Sequence, residues 1–261
     1  TWVPQAEPRA ILLGLHGFND YAAFLANAGP RWAERGIRTV AYDQRGFGET
    51  EGRGLWHGRA AMIRDAQAVA RLLKERHPTV PIFLLGESMG GAVAIGAAAE
   101  GPGAPIAGTI LSAPAAADWE AFAWWQRGAM WLAAHTVPWL EMTGRGLRLE
   151  PSDNIEMLRA LARDPLVVKR TRIDAVWGLL RLGDRAFHAA PGLPPPALVL
   201  WGEKEALIPP RAQAALDAML PPHAERRRYP NGYHMLTRDL GAAVVLDDIA
   251  DWVLAHSPAN P

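Results

Sequence analysis

Ser88 is the residue of this chain whose surroundings best suit covalent chemistry. It stands in Gly86-Glu87-Ser88-Met89-Gly90, a G-x-S-x-G pattern. The apolar run Ile82-Phe83-Leu84-Leu85 precedes it, and a small-residue segment, Gly91 to Ala97, follows. A strand that turns sharply into a helix forces its central residue into strained backbone, and a side chain at either glycine would strike neighbouring backbone. The gain is a hydroxyl at the sheet's C-terminal edge, at a helix N-terminus whose dipole favours negative charge. A serine hydroxyl still needs a base, and the base needs an acid to orient it.

Eight histidines compete for the base. The motif takes its base from the loop after the last strand, before the terminal helix. His234, in Pro230-Asn231-Gly232-Tyr233-His234-Met235, has that place. His77 adjoins Pro78 at a helix end, His135 and His188 fall in a helical insertion, His223 precedes the last strand, and His256 lies near the terminus. His16 is read as a structural brace of its own loop. For the acid, Glu205 is preferred to Glu203 because it lies further past the strand ending at Trp201; Asp118, after the fourth strand, is the fallback. A Glu is one methylene longer than Asp, so its loop must retract slightly. The resulting order is Ser88, Glu205, His234.

The elements that must hold these residues alternate along the chain. Ala10–Leu15, Ile37–Tyr42, Ile82–Leu85, Ala107–Leu111 and Ala197–Trp201 are short apolar runs of the kind found in buried parallel strands, and Glu225–Tyr229 is a weaker sixth. Ile63, Ala66, Ala70 and Leu73 share a helical face, so Gly58–His77 reads as an amphipathic helix. Met89–Glu100 and Leu240–Ala255 also read as helices. The pattern predicts an α/β protein with a mostly parallel sheet covered on both faces. From Pro114 to Pro196 the alternation stops. That stretch reads as helical throughout, too long for a connection, and is expected to be an inserted cap. The expected division is a core of 1–113 and 197–261 around a cap of 114–196.

Composition narrows the chemistry. The 261 residues hold no Cys, which removes disulfides, thiolate catalysis and cysteine-ligated metals. Lys plus Arg is 27 and Asp plus Glu is 27, so the basic excess of a nucleic-acid binder is missing. Arg226-Arg227-Arg228 reads as a solvated strand edge. No apolar run approaches a membrane-spanning length. Thr1–Arg9 lacks the basic start and apolar stretch of a signal peptide, although the numbering could begin after a removed segment. The Arg and Ala bias reads as a GC-rich, bacterial origin. The expected location is the cytoplasm, or the envelope if a signal was removed.

On these residues the chain resembles the α/β-hydrolase superfamily, and within it the monoacylglycerol lipase and lysophospholipase group. The matching pieces are Leu15-His16-Gly17-Phe18, Tyr42-Asp43-Gln44-Arg45-Gly46-Phe47-Gly48, Gly86-Glu87-Ser88-Met89-Gly90-Gly91, Trp201-Gly202-Glu203-Lys204-Glu205 and Gly232-Tyr233-His234. The resemblance implies an oxyanion hole from the backbone N–H groups of Phe18 and Met89. It also implies that Asp43 and Arg45 tie their loop together near the active site, with contact to substrate as the alternative. Glu87 resembles plant and bacterial members. Two features depart from the group. Glu205 stands where Asp is usual, and a strand that usually precedes the one near Trp2–Pro4 is missing, as in a chain trimmed at its N-terminus.

Six of the 11 tryptophans fall within the expected cap: Trp119, Trp124, Trp125, Trp131, Trp139 and Trp177. Helical spacing puts Trp119, Phe122, Trp125 and Leu132 on one face and Trp124 and Trp131 on another. Such a helix must bury both faces or meet something apolar. Trp119, Phe122, Trp125 and Trp131 are the candidate acyl-binding residues, and transient contact with a lipid interface is the companion expectation. Arg127, Arg145 and Arg148 are read as solvated, with a phosphate headgroup as the alternative. The expected function is hydrolysis of monoacylglycerol-like or other single-acyl esters through an acyl-enzyme, with no metal or organic cofactor. A promiscuous short-chain esterase, an amidase or aminopeptidase, and a non-catalytic receptor using the same pocket are the alternatives. The oligomeric state stays open.

Overall fold

Six strands form one parallel sheet in the order β2-β1-β3-β4-β7-β8. They are β1 (Ala10–Leu15), β2 (Ile37–Ala41), β3 (Ile82–Glu87), β4 (Gly108–Ser112), β7 (Ala197–Gly202) and β8 (Ala224–Tyr229). This is a computed structural model, and it describes residues 1–100, 103–143 and 149–258. Arg145 and Arg148 lie outside the described residues.

The continuous apolar strands follow from burial on both faces. Ile11, Leu13 and Leu15 join Leu84, Leu111, Val199 and Trp201 on one side. There they meet α2 (Arg59–Arg76), α3 (Met89–Ala99), α6 (Ile173–Ala189) and α7 (Pro210–Met219). The alternate residues Leu12, Phe83, Leu85, Ile110, Leu198 and Leu200 pack on the other side. Their cover is α1 (Ala28–Glu34) and α8 (Ala242–Ala255), through Trp32, Ile249 and Trp252. Trp2 forms an antiparallel bridge with Thr39 at the β2 edge. At the opposite edge, Arg226 and Arg228 of β8 are exposed, and Arg228 pairs with Asp217 at 2.8 Å. A charged edge of this kind discourages pairing with another chain.

The expected cap differs from its reading in three ways. It is not helical throughout: β5 (Glu141–Met142) and β6 (Thr171–Arg172) form a short antiparallel ladder. Trp119 does not share a helix with Trp125, because Trp119–Ala121 is a separate 3-10 turn before α4 (Trp124–Thr136). The capping is also local: Gln126 Oε1 accepts the Ala123 N–H at 3.0 Å, which starts α4 afresh. Third, burial divides the segment. The helices α4 and α5 (Ile155–Arg163) carry no buried residue. By contrast α6 sends Leu182, Ala186 and Phe187 into the main core beside α3. Periodicity identifies an apolar face, but only the packing partner tells lid from layer.

Candidate active site

Ser88 lies between β3 and α3 with φ 53° and ψ −114°, a strained backbone for a residue with a Cβ. Its neighbours allow this. A Cβ on Gly86 would overlap the carbonyl of Gly90, and one on Gly90 would overlap that of Leu15. The elbow is held by Ser88 N–H donating to Ser112 O and by Gly91 N–H and Ala115 N–H donating to Ser88 O, each at 2.9 Å. Ser88 itself is half-buried.

The loop after β1 runs alongside. A Cβ built on Gly17 would lie 3.5 Å from the Ser88 Cβ, so the next residue, Phe18, starts beside Ser88. Met89 N–H opens α3. Among the described residues neither the Phe18 nor the Met89 amide donates a hydrogen bond, which an oxyanion-hole role would require. His16 is fully buried and fully used. Gln44 N–H donates to its Nε2 at 2.9 Å, which leaves Nδ1–H to donate to Gly17 O at 2.8 Å. Burial holds its pKa below the ordinary value, so it is a neutral brace with no lone pair to spare.

His234 is buried in the loop after β8. Its Nδ1 lies 2.6 Å from Glu205 Oε2. Glu205 Oε1 accepts the Leu207 N–H at 2.6 Å and the Ile208 N–H at 3.0 Å. Burial pushes this carboxyl up. The hydrogen bond and charge of His234, with the two amides, outweigh that and keep it below its usual value. A carboxylate here favours the imidazole tautomer with its proton on Nδ1, which leaves the Nε2 lone pair free of Glu205. Glu203 is exposed. Asp118 is engaged elsewhere: it accepts the Glu120 N–H at 2.8 Å, and its Oδ1 lies 3.9 Å from His188. With Asp184 these two form, among the described residues, a cluster whose oxygen and nitrogen atoms lie close enough together to meet one cation. Asp184 already holds the Trp119 N–H at 3.0 Å and Arg181 at 3.1 Å, so the cluster braces the turn at Trp119 against α6.

Asp43 ties its loop, as read from the resemblance, by accepting the N–H groups of Ala22 and Glu49, each at 2.8 Å. Arg45 pairs with Asp65. An apolar cavity of about 560 Å³ opens between the segment of residues 115–126, α6 and the Glu205 loop. Ala115, Phe122, Leu179, Leu207 and Ile208 line it. Of the four candidate acyl-binding residues only Phe122 is a lining residue. Trp119 packs on Phe122 and edge-on to Trp177, with ring centroids 5.5 and 5.2 Å apart. Trp125 and Trp131 are 59% and 53% exposed, so they form outer surface instead of pocket wall.

The family model described as serine aminopeptidase, S33 (Hydrolase_4) matches residues 6–241. The chain belongs to this family. Among curated relatives of this S33-family chain is a monoacylglycerol lipase of Mycolicibacterium smegmatis, 28% identical over 98% of this chain and 92% of that protein. A monoglyceride lipase of Homo sapiens is 28% identical, covering 97% of this chain and 84% of its own length. Among solved structures, a soluble variant of the Saccharomyces cerevisiae monoglyceride lipase with a substrate analog superposes with TM-score 0.83 at 19% identity, covering 99% and 91% of the two chains. The Paleococcus ferrophilus monoacylglycerol lipase gives 0.80 at 21%, covering 98% and 97%. The fold of this S33-family hydrolase is thus the α/β-hydrolase fold of lipases and esterases.

Two sets of polar residues escaped the sequence reading. Glu87, Asp20 and Arg238 form a buried ionic cluster behind the site. Asp239 accepts the Tyr233 N–H at 2.7 Å and the Ser152 hydroxyl at 2.6 Å, joining the His234 loop to the segment around Ser152. Only Glu87 carried a local signal, its place beside Ser88. The partners come from loops far apart in sequence.

Proposed function

We propose that the chain hydrolyses monoacylglycerol-like, single-acyl esters through an acyl-enzyme. His234 Nε2 removes the Ser88 proton as Oγ attacks the ester carbonyl. The Phe18 and Met89 N–H groups stabilise the oxyanion, each worth a few kcal/mol, about 3–4, in comparable sites. Glu205 stabilises the imidazolium. His234 then returns the proton to the departing alcohol. Water, deprotonated by His234, attacks the acyl carbon, and the carboxylic acid leaves with Ser88 restored.

The apolar cavity carries the substrate reading. Its volume lies within the roughly 300–1,000 Å³ range of small-molecule sites, and it reaches Ala115, whose N–H donates to Ser88 O. An acyl chain fits such walls better than a polar substrate. The proposed organisation is a core of 1–113 and 197–261 with 114–196 inserted between. Its outer surface exposes Trp124 (78%), Trp139 (62%) and Leu140 (53%), which supports transient contact with a lipid interface.

A peptide or amide substrate is the second reading, favoured by the family's description and by Asp118 in the cavity wall, a counter-charge for an amine. Hydrolysis of p-nitrophenyl esters of graded length, beside aminoacyl amides, separates the two. Rising kcat/KM with acyl length, lost in Ser88→Ala, is the expected result. Activity confined to amides, or undiminished in Ser88→Ala, overturns the proposal. A receptor without turnover would show no Ser88-dependent labelling by a fluorophosphonate.

A further inference from the structure

We infer that Arg238 is a positioning residue that sets the spacing of the nucleophile, the base and the oxyanion loop. It lies on the base's own loop, just beyond His234, and is 5% exposed. Its Nη1 meets Asp20 Oδ2 at 2.7 Å, on the loop that carries Phe18. Its Nη2 donates to Glu87 Oε1, on the residue preceding Ser88. Thr237 Oγ1 donates to the other Glu87 oxygen at 3.2 Å. Glu87 and Asp20 are 2% and 7% exposed. One guanidinium therefore joins the loop of His234, the loop of Phe18 and the end of β3 next to Ser88, on which the proposed reaction depends.

The choice of residue has a physical logic. A guanidinium is planar and presents its donors at fixed angles, so two carboxylates bound to it have a set separation. A lysine ammonium at the same place is a point charge on a flexible stem and sets no such distance. Stability alone does not explain the cluster. Buried ion pairs are often no better than well-packed apolar side chains, because desolvation offsets the attraction. The attachment at Asp20 also acts on the Phe18 turn, where Asp20 N–H donates to Gly17 O at 3.3 Å. The loop's other end is fixed by Asn154 Nδ2 donating to Arg238 O at 3.0 Å. A small shift of Arg238 would move His234 against Ser88, and a misplacement of about 1 Å costs on the order of 100-fold in rate.

This inference rests on the Ser88–His234–Glu205 reading, so its test needs a readout apart from turnover. Arg238→Lys keeps the charge. The triple variant Arg238→Met, Glu87→Gln, Asp20→Asn removes every formal charge and guards against a simple failure to fold. Both are compared with wild type by Tm, by kcat and KM on a p-nitrophenyl ester, and by the proton NMR resonance of the His234 Nδ1–H. The expected result is a folded Arg238→Lys protein with kcat down about 10–100-fold, KM changed little, and the proton resonance displaced. The triple variant should be folded and equally slow. Wild-type kcat and an unmoved resonance in either folded variant would overturn the inference. If the wild type hydrolyses no ester yet its proton resonance moves on substituting Arg238, the reaction assigned above fails and the positioning role stands.

Discussion

Glu205 has a double task at the residue scale, and both halves show in its contacts. One oxygen holds His234 at 2.6 Å, and the other is held by the Leu207 and Ile208 amides. Glu205→Gln keeps the shape but can present an amide N–H to Nδ1, favouring the wrong tautomer. It should lower kcat by about 10⁴, as loss of the orienting carboxylate does elsewhere, with little change in KM. Steady-state kinetics on a soluble ester measures this, and a loss below tenfold would remove Glu205 from the assignment. Glu205→Asp shortens the reach by a methylene and should cost about 10–100-fold, by displacing the ring without losing its charge. The proposed assignments were legible early. The elbow motif names Ser88, strand order names His234, and distance past Trp201 favours Glu205 over Glu203. The sequence held no comparable sign of Arg238, because its meaning depends on Asp20 and Glu87, which only folding brings near.

At the scale of elements, the segment around Ser152 is strapped to the loop of the base. Ser152 Oγ donates to Asp239 Oδ1, and the Leu240 N–H donates to Asp153 Oδ1 at 2.8 Å. Burial pushes the Asp239 carboxyl up to about 6, with Asp153 and Glu87 adding repulsion and the Ser152 and Tyr233 donors opposing it. A carboxyl whose pKa is raised on folding favours the folded state while protonated. That contribution is full below about 3.8 and is lost as pH rises through about 6. Asp239→Asn removes the dependence and can still accept from Tyr233. The Tm of the variant relative to wild type should therefore rise between pH 4 and pH 7 (about, from the linkage above). A constant difference across that range would show that Asp239 does not titrate there. The α4 surface makes a separate prediction. Trp124→Ser with Trp125→Ser should weaken sedimentation with anionic lipid vesicles several-fold and leave hydrolysis of a soluble short ester unchanged. Binding that is unaltered in the double variant would assign those exposed rings another purpose.

The whole molecule is a sheet with two apolar faces, and α6 shows that part of the proposed insertion packs into the main core. Leu182 is 1% exposed within the main core although its sequence position lies inside the insertion. Leu182→Ala should cost about 2–5 kcal/mol in denaturant unfolding, whereas Leu132→Ala, at 55% exposure on α4, should cost less than about 0.5 kcal/mol. Equal costs would mean that the insertion folds as one unit. The sequence by itself determined the strand–helix alternation, the elbow and the order of the three proposed catalytic residues, because each is written in local spacing and in which residues strain or turn the backbone. Only the tertiary structure decided which apolar residues of the 114–196 segment face water, that α6 packs its Leu182 face into the main core, and that Arg238 joins two loops to the end of β3. Those facts are set by contacts between segments distant along the chain, and no local pattern encodes a partner that folding has yet to deliver.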